Sequence, residues 1–127
     1  MKLGYTIIYV EDVAATLAFY RRAFGMAQKF LHEGGDYGEL ETGETTLAFS
    51  ALALLKQMGH SAVASNPHAP VFEIALTTGD VCAAVEKAVA AGAKMVRPPQ
   101  KMPWGQTIAY VHDLNGCLVE ICTPVGA

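Results

Sequence analysis

At 127 residues, 52% hydrophobic and 17% charged, the chain has the length of one compact domain and the composition of a folded protein, not a disordered one. Its net charge of −3, with no basic run, offers nothing to a nucleic-acid backbone. No apolar stretch approaches the roughly 20 residues that cross a bilayer.

The N-terminus opens on a strand pattern without the plan of a signal peptide. The three cysteines, Cys82, Cys117 and Cys122, are odd in number and lack metal-type spacing. They read as reduced, mostly buried residues of a cytoplasmic protein.

Leu3–Val10 predicts the first strand, with Tyr5, Ile7 and Tyr9 on one face and Thr6, Ile8 and Val10 on the other. Asp12 is placed to cap a helix whose apolar stripe is Val13, Leu17, Tyr20 and Phe24, and Gly25 ends it. Three short strands follow: Ala27–Glu33, Tyr37–Glu41 and Thr45–Ala51, separated by Gly34-Gly35 and Thr42-Gly43. In the last of these, Thr46, Ala48 and Ser50 share a face. Leu52–Gly59 has room for two helical turns, and the Ser, Asn and Pro around His60–Pro70 read as linker.

Val71–Thr77 restarts the pattern, with Glu73 and Ala75 opposite Phe72, Ile74 and Leu76. Asp80 caps a second helix with the stripe Val81, Val85, Ala88 and Val89, and Gly92 ends it. Ala93–Arg97 is a short strand that Pro98-Pro99 is expected to stop. Trp104 then opens a closing hairpin. Thr107–His112 and Leu118–Cys122 flank the turn Asp113-Leu114-Asn115-Gly116, where Asn and Gly accept positive φ at little cost. Leu118, Glu120 and Cys122 share one face, so Glu120 is a carboxylate in an otherwise apolar strand. It either faces solvent or meets a partner or a wet cavity, because burial alone is costly.

A shift of 68 residues places Tyr5 on Glu73, Asp12 on Asp80, Val13 on Val81 and Leu17 on Val85. Strand, cap and stripe therefore repeat in phase. The expected architecture is α+β: two βαβββ modules, about residues 3–51 and 71–124, joined by a linker of about 52–70 within one domain. Each module presents one sheet face to its helix. The free faces, bearing Tyr5, Ala48, Ser50, Glu73, Ala75, Leu118 and Glu120, would line a cup in a curved mixed sheet.

A doubled βαβββ unit resembles the vicinal oxygen chelate superfamily of glyoxalase I, extradiol dioxygenases and bleomycin-resistance proteins. The segment Phe19-Tyr20-Arg21-Arg22-Ala23-Phe24-Gly25 and the closing Asp113-Leu114-Asn115-Gly116…Val119-Glu120-Ile121 carry the resemblance, which spans Leu3 to Pro124. The family's turn usually has Pro where Leu114 stands. The resemblance implies metal ligands at the positions of Tyr5, Ala48, Glu73 and Glu120. Glu73 and Glu120 suit that role, Ala48 cannot ligate, and the Tyr5 phenol must first lose a proton. It thus implies a binding member that holds an apolar or aromatic compound in the cup, without a complete metal site and with no cofactor; because the family's members commonly dimerise, it also implies a homodimer. The alternative is a metal-dependent lyase or dioxygenase-like enzyme using a divalent ion on Glu73 and Glu120; a structural dimer module with a vestigial cup is the third class.

Other residues weigh less. His60 and His68 lie in the linker, His32 adjoins a Gly-Gly turn, and His112, Ile108 and Tyr110 are expected to point away from the inward face. No local zinc, hydrolase or phosphate-loop motif is present. Trp104, the single tryptophan, either caps the core or forms a stacking wall for a flat ligand. Tyr37, Glu39 and Glu41 share a face, where Glu39 either joins an acidic lining or is solvated.

Overall fold

The computed structural model describes residues 1–126. Chain contacts divide it into two units, 1–65 and 66–127 by residue number. In the first, β1 (Tyr5–Val10) leads to α1 (Val13–Phe24), then β2 (Gln28–Leu31), β3 (Tyr37–Leu40), β4 (Thr46–Ala51) and the short α2 (Leu52–Gln57). In the second, β5 (Glu73–Thr77) leads to α3 (Val81–Ala90), β6 (Lys94–Lys101), β7 (Thr107–His112) and β8 (Leu118–Cys122). The mixed sheet expected from the sequence is realised as one four-stranded sheet per module, ordered β1-β4-β3-β2 and β5-β8-β7-β6. In each, the first and last strands of the module pair in parallel and the other pairings are antiparallel.

Local chemistry explains the helices. The Asp12 carboxylate accepts from the Ala15 amide at 3.0 Å, and Asp80 accepts from Ala83 at 3.0 Å, satisfying one orphan N–H of each first turn. Gly25, at φ 70°, closes α1 by donating to the Arg21 carbonyl at 3.0 Å while Met26 donates to Tyr20. The buried stripe of Val13, Leu17 and Tyr20 then meets the sheet, with the Tyr20 and Phe49 rings 5.0 Å apart. Gly38 permits this approach: a Cβ there would stand 2.6 Å from Leu17 Cδ1 and 3.2 Å from the Phe30 carbonyl oxygen. In the second unit Val81, Val85 and Ala88 of α3 are buried together with Ala109, Val111, Val119 and Ile121 of its sheet.

Two expectations change. Pro98-Pro99 does not stop β6, which continues to Lys101. β6 is an edge strand, where a missing amide donor is tolerated, and its pairing with β7 shifts register between Met95 and Arg97 and again between Arg97 and Gln100. Asn115 does not take positive φ; among the described residues only glycines do, here Gly116 at φ 82°. Asp113 organises the turn instead, its Oδ1 accepting from the Asn115 and Cys117 amides at 2.8 Å each. Cys82 is exposed on α3, while Cys117 and Cys122 are buried; all three are free thiols. No helix among the described residues is long and apolar enough to cross a membrane.

Candidate functional site

The loop closing β7 and β8 sets the site. Asp113 donates its amide to the Cys117 carbonyl at 2.9 Å, so three residues, Leu114 to Gly116, make the reversal. The ladder then pairs Tyr110 with Glu120 and Ile108 with Cys122. Directly paired residues share a sheet face. The expectation that Ile108, Tyr110 and His112 point away from Glu120 is therefore overturned. The Tyr110 hydroxyl donates to Glu120 Oε1 at 3.0 Å, and His112 pairs with Leu118 on that same face. The signal was present in the sequence: a three-residue loop fixes the pairing of Tyr110 with Glu120, whereas a four-residue turn inverts the faces.

The same face carries a cavity of about 390 Å³, inside the range of roughly 300–1,000 Å³ typical of ligand pockets. Its apolar wall includes Val96, Met102, Ile108 and Leu118, and its polar wall Glu73, Arg97, Gln100 and Tyr110. Arg97 was not singled out by sequence because the strand was expected to end there. The irregularities flanking it let Val96, Arg97 and Pro98, three consecutive residues, all reach one cavity, which a regular pleat forbids.

Electrostatics link these groups. Burial and then the charge of Glu120 raise the Glu73 carboxyl above its ordinary range. The Tyr110 phenol is pushed up to about 12 by burial, by its bond to Glu120 and by the charges of Glu120 and Glu73, with Arg97 acting in the opposite sense. Burial and the bond and charge of Glu120 also push the Cys122 thiol up to about 11, with Glu73 adding to it. Glu73, Tyr110, Glu120 and Cys122 thus form one interacting set.

The remaining sequence candidates are placed as follows. Tyr5 is exposed on the free face of β1, beside β4, where Ala48 and Ser50 share that face and are buried. Tyr37 and Glu39 join them, paired with Ser50 and Ala48, and the Tyr37 hydroxyl donates to Glu39 Oε2 at 2.7 Å. Burial, Glu39 and then Tyr5 push the Tyr37 phenol up to about 12. Trp104 neither caps the core nor lines the cavity: it is 62% exposed, its Nε1–H donating to Gln106 Oε1 at 2.8 Å. His32 is exposed and meets Asp36 at 3.1 Å; His60 and His68 are exposed.

A family model described as the Glyoxalase/Bleomycin resistance protein/Dioxygenase superfamily matches residues 2–121. The chain belongs to this superfamily. Its fold is shared with solved members of the glyoxalase superfamily. A glyoxalase-related enzyme from Fulvimarina pelagi is 24% identical, with TM-score 0.82 over 98% of this chain and 88% of that one. A glyoxalase/bleomycin resistance protein/dioxygenase from Nocardioides is 19% identical, with TM-score 0.79 over 100% and 85%. A family enzyme from Burkholderia phytofirmans PsJN is 23% identical, with TM-score 0.76 over 97% and 98%. No curated protein matches the chain.

The superfamily's metal positions are not filled by a matching donor set here. Among the described residues, no three His, Cys, Asp or Glu side chains gather in a group able to hold a metal ion. Glu73 and Glu120 supply two carboxylates, Ala48 supplies no donor atom, and Tyr5 supplies a phenol.

Proposed function

We propose that this superfamily member binds a small organic molecule with an apolar or aromatic body in the cavity of the second module, anchored at one end by Glu73, with Glu120 behind it adding negative charge. The observation that carries the reading is that Glu73, Tyr110 and the Tyr110-bonded Glu120 share one face of the β5-β8-β7-β6 sheet with the apolar wall of Val96, Met102, Ile108 and Leu118. Two neighbouring carboxylates repel, and a cationic or hydrogen-bond-donating ligand group relieves them. Tyr110 and the Cys122 thiol already bond to Glu120, whereas no side-chain bond within the protein engages Glu73, which is open to the ligand. Ile108 and Leu118 beside them supply the apolar contact. The reading includes no resident metal, since two carboxylates fall short of the three protein ligands of a typical catalytic site.

The test is a thermal-shift screen of aromatic amines, followed by a double-mutant cycle of Glu73→Gln and Glu120→Gln read by affinity for the best amine at two pH values. Coupled losses that change with pH are expected. Additive effects near zero would overturn the assignment.

A further inference from the structure

We propose that the molecule held in this cavity has two ionic ends: an anionic group, best a carboxylate, seated on Arg97, and an ammonium group seated on Glu73, whose neighbour Glu120 adds negative charge, with a flat apolar body between. The inference rests on the proposed binding function and adds the ligand's second charge.

The register puts the charges at opposite ends of one row. Arg97 on β6 pairs with Tyr110 on β7, and Tyr110 pairs with Glu120 on β8. Two inter-strand steps separate Arg97 from Glu120, about 10 Å between backbones. Glu73 lies one strand further, on β5, and lines the cavity with Arg97. A ligand that meets both ends must carry its charges on an extended scaffold. Between them lie the Tyr110 ring and the apolar wall, which suit a planar body.

One residue at each end lacks a partner within the protein. Among the described residues, the Arg97 guanidinium makes no hydrogen bond or ion pair, and neither does the Glu73 carboxylate. Opposite charges that line one cavity without meeting leave room for a bridging molecule. Lys94 and Lys101 share the same edge strand, where cations deter strand addition, but neither lines the cavity. Arg97 is set apart from them by its place between the two register irregularities and in the cavity lining. Its planar fork of N–H donors matches both oxygens of a carboxylate, which a lysine in that place would not do.

Three matched probes separate the ends in titrations of the full chain followed by backbone amide NMR: 4-(aminomethyl)benzoate, with both charges; 4-methylbenzylamine, with the cation alone; and 4-methylbenzoate, with the anion alone. The doubly charged probe is expected to bind about tenfold tighter than either other, shifting amides in both β6 and β8. Arg97→Gln should abolish the advantage of the doubly charged probe over the amine, without weakening the amine. Glu73→Gln should reduce it toward the affinity of the acid. If the doubly charged probe binds no tighter than the amine, or if Arg97→Gln weakens both equally, the second charge is wrong. Amine binding that still depends on Glu73 and Glu120 would then leave the proposed function standing. Failure of all three probes to bind at millimolar concentration overturns both.

Discussion

Glu73 lies where burial and a neighbouring like charge act in the same direction, both raising its pKa. A carboxyl with a raised folded pKa is ionised at a cost the unfolded chain does not bear. Its contribution is most favourable below the unfolded value of about 4.3 and is lost as pH rises through the raised folded value. Glu120, Tyr110 and Cys122 surround it on this face, and Arg97 lines the same cavity. Glu73→Gln is therefore expected to raise the melting temperature at pH 7, with the gain vanishing as pH falls into the ordinary carboxylate range. The gain is small, because Glu73 is exposed and solvent screens the repulsion. Melting curves of both proteins across pH check this; an equal gain at all pH values would point to a cause other than ionisation. Asp113, 5% exposed, acts differently: its Oδ1 holds two backbone amides of the closing loop. Asp113→Ala should cost about 2 kcal/mol, read as a lower urea midpoint with unchanged slope.

Among the elements, α1 and β3 depend on the absence of a side chain at one position. The Cβ of an alanine at 38 would press on Leu17 Cδ1, on Val13 Cγ1 at 3.1 Å and on a backbone oxygen. Leu17 and Val13 are each 1% exposed, in a close-packed interior where displacing them disturbs their neighbours. Gly38→Ala should destabilise the protein by about 1–3 kcal/mol through overpacking. Denaturant unfolding measures it, and a change within about 0.5 kcal/mol, as at an unconstrained surface site, would show that the helix shifts without cost. β6 makes the complementary point. Its prolines look like terminators in isolation, yet at a sheet edge they coexist with a strand and its irregularities.

For the whole molecule, the sheet orders leave β1 and β2 at the edges of one sheet and β5 and β6 at those of the other. Strand edges carry unpaired backbone groups that favour association. We expect a homodimer, twice the 13.5 kDa of the chain, in light scattering at micromolar concentration. A particle of the single-chain mass would refute it. Elemental analysis of protein purified without chelator should find well under one divalent ion per chain; a stoichiometric ion lost in Glu73→Gln would overturn the metal-free reading.

The sequence by itself determined the doubled module, because caps at Asp12 and Asp80 and helical stripes at matching offsets are local signals that tertiary contacts reinforce. Strand alternation likewise placed Glu73 and Glu120 on the faces turned away from the helices. Tertiary structure alone decided which partners they meet. Cross-strand register brought Tyr110 onto Glu120, and one residue of difference in loop length had reversed that expectation, since side chains alternate with a period of two. The irregularities of β6 turned Arg97 to the cavity through long-range pairing with β7. Trp104 shows the same limit: a tryptophan at a loop–strand junction has no periodicity to assign its direction, and the fold leaves it outside the cavity lining.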